Sequence, residues 1–226
     1  MIKLSNIPII SVLALLAVVL FVSSCSLTGN VVANDQCSTL LDTAKDNCYS
    51  ENGKCSKVEN QAFRDNCVAG LAKIKNDEKV CSLIVSDKTK GYCLAQLAEI
   101  NDNRELCSKI EDTYWKDNCN YELGIKDNKA NYCALVSNSI QRDECYGRVA
   151  IATNDKVVCE YFTDSKRDFC LLQIALNLED VQTCQELSKP MTRDVCRKRV
   201  AIETKDRSLC NLIGFTPVRE ECFRFV

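Results

Sequence analysis

The sequence contains no histidine, one tryptophan and three prolines in 226 residues. Without histidine, the common acid–base and nucleophile pairings of enzymes are missing. No CxC or CxxC pair occurs among the 17 cysteines, so zinc ribbons, zinc fingers, thioredoxin-like redox sites and c-type haem attachment lack their signatures. The formal net charge is −2, which gives no attraction for nucleic acid. We therefore expect no enzyme, metal site, cofactor or nucleic-acid partner.

The N-terminal segment differs from the rest of the chain. A nearly pure apolar run occupies residues 7–22, with Lys3 before it and the sequence VSSC at 22–25 closing it. This segment resembles a prokaryotic lipoprotein signal, in which an aliphatic residue and small residues precede a cysteine. The resemblance implies cleavage after residue 24, lipid on Cys25, and attachment to the extracytoplasmic side of the cell membrane. An uncleaved membrane anchor is the alternative, although 16 apolar residues are slightly short for a span.

Cysteine spacing is the most regular feature of the chain. From Cys55 onward, gaps of 12 and 14 residues alternate with a single departure, a gap of 11, so that a unit C-x11-C-x13 recurs about every 26 residues. Such self-similarity predicts a repeat array without one central core, and the cysteine content favours an oxidising compartment. We predict a signal peptide at 1–24, a lipidated cysteine and flexible tether at 25–36, and a repeat domain of about eight units at 37–226, with the first and last units truncated.

Apolar and small residues keep a fixed register with the cysteines. The residue three positions after the first cysteine of each unit is always apolar: Leu40, Val58, Ile84, Ile110, Val136, Phe162, Leu187 and Ile213. Four positions before that cysteine stand residues that favour a helix N-cap: Asp77, Asn103, Asp155, Asp180 and Asp206, while Lys129 occupies this place in one unit. An aliphatic residue follows the second cysteine by four positions and a small residue by five, which indicates a second helix with a point of close approach to a neighbouring backbone. The expected fold is all-α: helix–turn–helix hairpins stacked as a disulfide-stapled α-solenoid.

The two cysteines of each unit flank its turn, where antiparallel helices would bring them within bridging distance. The predicted bridges are Cys37–Cys48, Cys55–Cys67, Cys81–Cys93, Cys107–Cys119, Cys133–Cys145, Cys159–Cys170, Cys184–Cys196 and Cys210–Cys222. The alternative joins the second cysteine to the first of the next unit, which would be staggered by about one helical turn and leave cysteines unpaired at the ends. With only seven phenylalanines and one tryptophan for the cores, such bridges would matter, at roughly 3 kcal/mol per closed loop.

A basic residue followed by an acidic one precedes nearly every second cysteine. The pairs are Lys45-Asp46, Arg64-Asp65, Lys116-Asp117, Arg142-Asp143, Arg167-Asp168, Arg193-Asp194 and Arg219-Glu220, whereas Lys90-Gly91 lacks the acid. One interpretation is structural, with the acid favoured in the first turn of a helix and the cation paired with an adjacent unit. The other is a ladder of charged contacts for a repetitive polymer, such as a glycan or an extended peptide.

The one concentration of aromatic residues is Tyr114-Trp115, which we place in a turn. Exposed tyrosine and tryptophan side chains are frequent binding hot spots, so the pair is a candidate partner-binding site. The alternative is that both residues cover the end of a hairpin.

These features favour a lipid-anchored extracytoplasmic module that binds or scaffolds a protein or an envelope polymer. The first alternative is a structural spacer or envelope-stabilising lipoprotein without a specific ligand. A redox or metal-binding protein that uses its cysteines as thiols is a further alternative, which a count of free thiols would distinguish.

Overall fold

The computed structural model describes residues 35–226, so the signal segment, Cys25 and most of the expected tether lie outside the described residues. Contacts along the chain divide these residues into a short first part, 35–41, and a second part, 42–226. In the first part, Gln36–Thr39 forms a 3-10 helix, and Ser38 Oγ donates a hydrogen bond to the Asp35 carbonyl.

Longer helices alternate with single helical turns throughout residues 35–226, and no strand occurs among them. The longer helices are α1 (Asp42–Glu51), α2 (Gln61–Lys75), α3 (Asp87–Asn101), α4 (Thr113–Lys126), α5 (Ser139–Thr153), α6 (Asp164–Asn177), α7 (Pro190–Thr204) and α8 (Thr216–Phe225). The single turns between them are Cys55–Lys57, Glu78–Cys81, Arg104–Ser108, Ala130–Cys133, Lys156–Cys159, Thr183–Glu186 and Arg207–Leu212, some of them α-helical and some 3-10.

Each of the helices α1 to α7 packs against the next long helix in the chain. The buried side chains accordingly form separate clusters that follow one another along the stack, instead of one central core. The predicted all-α solenoid is confirmed. We number its repeats 1 to 8, so that repeat n ends in helix αn. The hairpins are less symmetric than expected, because the first helix of each repeat is only a single turn.

Consecutive repeats are joined by a residue in the left-handed conformation. Six such residues lie 25 or 26 positions apart, with φ between 51° and 56°: Asn76, Asp102, Asn128, Asn154, Glu179 and Lys205. After each of them the next N–H reaches back to the small residue at the predicted close-contact position, as Asp77 N does to the Ala72 carbonyl at 3.1 Å. This hydrogen bond ends the long helix and turns the chain toward the next repeat.

The residues expected as N-caps act at these same junctions. The carboxylates of Asp77, Asp155 and Asp206 each accept a hydrogen bond from the N–H two residues on, and Asn103 does the same. Lys129 makes no side-chain cap bond at its junction.

Seven disulfides join the same cysteines that the spacing predicts for repeats 2 to 8. Their Cα–Cα distances lie between 5.5 and 5.8 Å, which is the range that a disulfide needs. Cys37 and Cys48 are also disulfide-bonded. Each bridge joins a single helical turn to the long helix of its own repeat.

The apolar register is buried in every repeat except the first. The aliphatic or aromatic residue three positions after the first cysteine is 1–9% exposed in repeats 2 to 8, whereas Leu40 is 39% exposed. The small residues five positions after the second cysteine are fully buried. Gly124 is the one glycine among them, and the group that approaches it is not a neighbouring backbone. A Cβ on Gly124 would lie 3.0 Å from Cys145 Sγ and 3.3 Å from Cys133 Sγ, so this helix packs directly on the disulfide of the following repeat.

Candidate binding face

The acid before the second cysteine connects each repeat to the next. Asp117 is buried, and its two carboxylate oxygens accept hydrogen bonds from Ser137 N at 2.8 Å, Asn138 N at 2.9 Å and Ser137 Oγ at 2.7 Å. These donors belong to the loop that leads into the next long helix. The same arrangement recurs at Asp46, Asp65, Asp168 and Asp194.

These contacts lower the pKa of the buried carboxyls. Burial alone would raise the pKa of Asp65, Asp117 and Asp168, but the hydrogen bonds from the following loop outweigh it and leave each pKa below the ordinary value. The pKa of Asp46 is lowered chiefly by the hydrogen bonds that Glu59 N and Asn60 N donate. The carboxylates are therefore structural acceptors, and the helix dipole is not needed to explain their position.

In the second half of the array the cation donates to groups of its own repeat, and Arg167 also donates to the Glu186 carbonyl of the next repeat at 3.0 Å. Arg193 Nε donates to the Leu187 carbonyl at 2.7 Å, and Arg142 donates to the Val136 carbonyl at 3.2 Å. These carbonyls belong to the buried residues just before the loop. The pair Arg193-Asp194 thus fixes two consecutive loops, one through each side chain. The pairing of the cation with an adjacent unit holds only in part, as for Lys45 and Glu59.

Three repeats depart from this pattern. Asp143 is only half-buried and forms an ion pair with Lys166 at 2.5 Å. Glu220, in repeat 8, is exposed. Gly91 replaces the acid in repeat 3, where a Cβ would lie 3.0 Å from Trp115 Cβ and 3.1 Å from Ile110 Cγ2. The missing acid in repeat 3 is therefore explained by the close approach of the Trp115 and Ile110 side chains.

Tyr114 and Trp115 lie in the first turn of α4, and not in the preceding turn as expected. Tyr114 is 65% exposed, whereas Trp115 is half-buried and packs against the core of the first repeats. Tyr92 of α3 contacts the indole edge-to-face with ring centroids 4.9 Å apart, and Tyr114 does so at 5.1 Å. The aromatic site thus has three members, and sequence reasoning missed Tyr92.

One face of the array carries a groove between each of the first three pairs of long helices. The groove between α1 and α2 has a volume of about 390 Å³, that between α2 and α3 about 210 Å³, and that between α3 and α4 about 20 Å³. The first two share Asn66 and Gly70, and the last two share Gln96. The three grooves therefore adjoin one another in a path across four helices, whose last part is no larger than a single water molecule.

Amide and aromatic side chains line this path. We call the following residues the amide–aromatic strip: Asn47, Asn66, Tyr92, Gln96, Trp115 and Asn118. Four of them, Asn47, Asn66, Tyr92 and Asn118, occupy the position just before the second cysteine of repeats 1 to 4. This regularity was visible in the sequence, but only the structure shows that the position faces a groove.

A fourth groove, between α5 and α6, is lined differently. It has a volume of about 410 Å³, with Gly147, Ile151, Phe162 and the exposed Phe169 as its apolar lining. Charged residues border it, and Lys166 among them is paired with Asp143.

Within residues 35–226 no cluster of three or more cysteine or acidic side chains has a geometry that would hold a metal ion. No helix in that part of the chain is long and apolar enough to cross a membrane. Comparison with known proteins found no matching family model, no similar curated protein and no similar solved structure.

Proposed function

We propose that the protein is a lipid-anchored extracytoplasmic binding or scaffolding module, not an enzyme. The observation that carries this proposal is the contrast between two sets of polar side chains. The basic–acidic pairs are largely consumed by contacts within the array, so a charged ladder for a partner is not supported. The side-chain amides of the asparagines in the amide–aromatic strip, in contrast, make no hydrogen bond within residues 42–226, and they line the grooves.

Two glycines allow the two grooved regions to be tested by the same substitution. Gly70 lies between the first two grooves, and a Cβ there would meet nothing within 4 Å. Gly147 lies in the α5–α6 groove, and its Cβ would meet only Phe162 Cζ at an ordinary contact of 3.8 Å. A lysine at either site fills its groove without displacing the core.

The experiment is capture from envelope extracts with the soluble form, residues 26–226, and with its Gly70→Lys and Gly147→Lys variants. Both variants should keep the helical circular dichroism signal, and one of them should lose the captured partner. Capture that neither variant reduces would place binding elsewhere than in these grooves. If nothing is captured reproducibly, and deletion of repeats only shortens the reach of the anchored protein, the spacer function replaces the binding function.

The membrane anchor has its own test, because it depends on the signal-like segment alone. Replacement of Cys25 by serine should release or mislocalise the protein, or leave an unprocessed chain, as judged by membrane fractionation and the mass of the mature N-terminus. Unchanged membrane retention with residues 1–24 still attached would instead indicate an uncleaved anchor.

A further inference from the structure

The amide–aromatic strip has a chemistry that distinguishes among possible polymers. We propose that it binds an extended, uncharged glycan whose sugars carry acetamido groups; this inference rests on the binding function proposed above and names the class of ligand. Three features of the strip favour such a ligand: its hydrogen-bonding groups, its aromatic rings and its charge.

The hydrogen-bonding groups are free amides in register with the repeat. The side chains of Asn47, Asn66 and Asn118 each offer one carbonyl acceptor and two N–H donors, and none of these groups is used within residues 42–226. An acetamido group offers one N–H donor and one carbonyl acceptor. The N–H and the carbonyl of a trans secondary amide point in opposite directions. Successive asparagines of the strip can therefore bind them singly, one accepting from the N–H and another donating to the carbonyl, whereas an ammonium group has no acceptor.

The aromatic rings lie beside the amides. Tyr92 is 39% exposed and Trp115 half-buried, and both line the grooves next to Gln96. Aromatic side chains supply large apolar surfaces with little loss of conformational entropy. The C–H faces of a pyranose ring and the methyl of an acetyl group are the apolar surfaces that such rings can cover, while the amides bind the polar edge.

The charge of the path disfavours polyanions. The grooves are bordered by three carboxylates, Glu51, Glu99 and Glu122, and by one ammonium group, Lys73, which donates to Gln96 Oε1 at 3.1 Å. An acidic surface with its single cation engaged repels anionic polymers and accepts neutral ones. The continuity of the grooves from α1 to α4 suits a linear chain better than a compact small molecule.

Trp115 reports on binding directly, because it is the only tryptophan of the chain. Titration of residues 26–226 with chitohexaose, a hexamer of N-acetylglucosamine, should change the tryptophan fluorescence saturably. Cellohexaose, the neutral hexamer that carries a hydroxyl in place of each acetamido group, is the matched ligand control and should bind at least tenfold more weakly. A double variant, Asn66→Ala with Asn118→Ala, should weaken chitohexaose binding about tenfold through the loss of its hydrogen bonds.

Asn211→Ala is the protein control, because Asn211 is an exposed amide in repeat 8, outside the strip, and its removal should leave the affinity unchanged. Circular dichroism establishes that every variant is folded. The inference is overturned if chitohexaose gives no saturable signal, if cellohexaose binds equally well, or if the double variant binds like the wild type. A proline-rich peptide that binds in place of chitohexaose would also overturn it and assign the strip to a peptide. Loss of partner capture in Gly70→Lys without any binding of chitohexaose would leave the proposed function standing and refute the glycan alone.

Discussion

Removal of the Asp117 carboxylate should weaken the packing between repeats 4 and 5, and lower the free energy of unfolding, more than removal of any exposed charge. Asp117→Ala deletes three hydrogen bonds to a charged acceptor and leaves Ser137 N and Asn138 N without their partner. Hydrogen bonds to charged groups contribute about 1.5–3 kcal/mol each when measured singly, but they are not additive, and water can reach part of this loop. We therefore expect a loss of about 2–3 kcal/mol in the free energy of unfolding.

The chain supplies a matched control one repeat later. Asp143 occupies the same position in its repeat but forms a surface ion pair with Lys166, so Asp143→Ala should cost less than about 1 kcal/mol. Asp117→Asn should fall between the two alanine variants, because an amide keeps one acceptor oxygen but places its NH2 group against an N–H donor.

The assay is urea unfolding of the oxidised protein, followed by far-ultraviolet circular dichroism. Because stability in a repeat array is carried by neighbouring interfaces, Asp117→Ala should also broaden the transition or divide it between the repeats before and after the weakened junction. Equal losses for Asp117→Ala and Asp143→Ala would refute the role of the buried carboxylate in joining the repeats.

Three further predictions follow from burial, charge and packing. Gly70→Ala should raise the free energy of unfolding by up to about 1 kcal/mol, since it removes a glycine from a helix interior with open space around it. Gly91→Ala should lower the free energy of unfolding, since its Cβ would meet Trp115 Cβ at 3.0 Å. Thermal melts in which both variants shift the melting temperature in the same direction would contradict this packing. Because the pKa values of the buried aspartates are lowered in the folded protein, their contribution to the free energy of unfolding is complete above pH 3.8, the pKa of an unperturbed aspartate. That contribution is lost as the pH falls through the lower pKa values of the folded state. A helical signal and a denaturant midpoint that do not change down to pH 2 would contradict this. Reduction of the disulfides should lower the melting temperature strongly, since each opened loop costs roughly 3 kcal/mol of stability. The Cys55–Cys67 bridge should open before the six bridges that follow it, because Cys67 is half-exposed and the cysteines of those six are at most 3% exposed. Mild reduction with alkylation and mass spectrometry checks the order.

The architecture was predictable because its causes are local in sequence. A cysteine, an apolar residue three positions on and an N-cap four positions back form one helical turn, and their recurrence every 26 residues specifies a stack. The pairing of cysteines within a repeat followed from the same spacing, since two residues equidistant from a turn lie opposite each other.

The candidate site was predictable only in part, because its members come from different repeats. The sequence singled out Tyr114 and Trp115 by composition, but it did not show that Tyr92 joins them across a helix interface or that Trp115 is half-buried. It also left two interpretations of the basic–acidic pairs, because an aspartate looks the same whether its oxygens face solvent or the N–H groups of the next loop.

The sequence by itself therefore determined the repeat, its helical character and the bridges within each repeat, all of which depend on contacts among residues fewer than 15 positions apart. The tertiary structure decided which polar side chains are hydrogen-bonded between repeats and which make no hydrogen bond within the described residues. The Asp117 carboxylate accepts hydrogen bonds from residues 20 and 21 positions later. The side chain of Asn118, its neighbour in sequence, lines a groove and makes no hydrogen bond within residues 42–226. That division depends on how one long helix is rotated against the next, and the rotation is set by packing between repeats, such as Gly124 on the following disulfide, which no local pattern specifies.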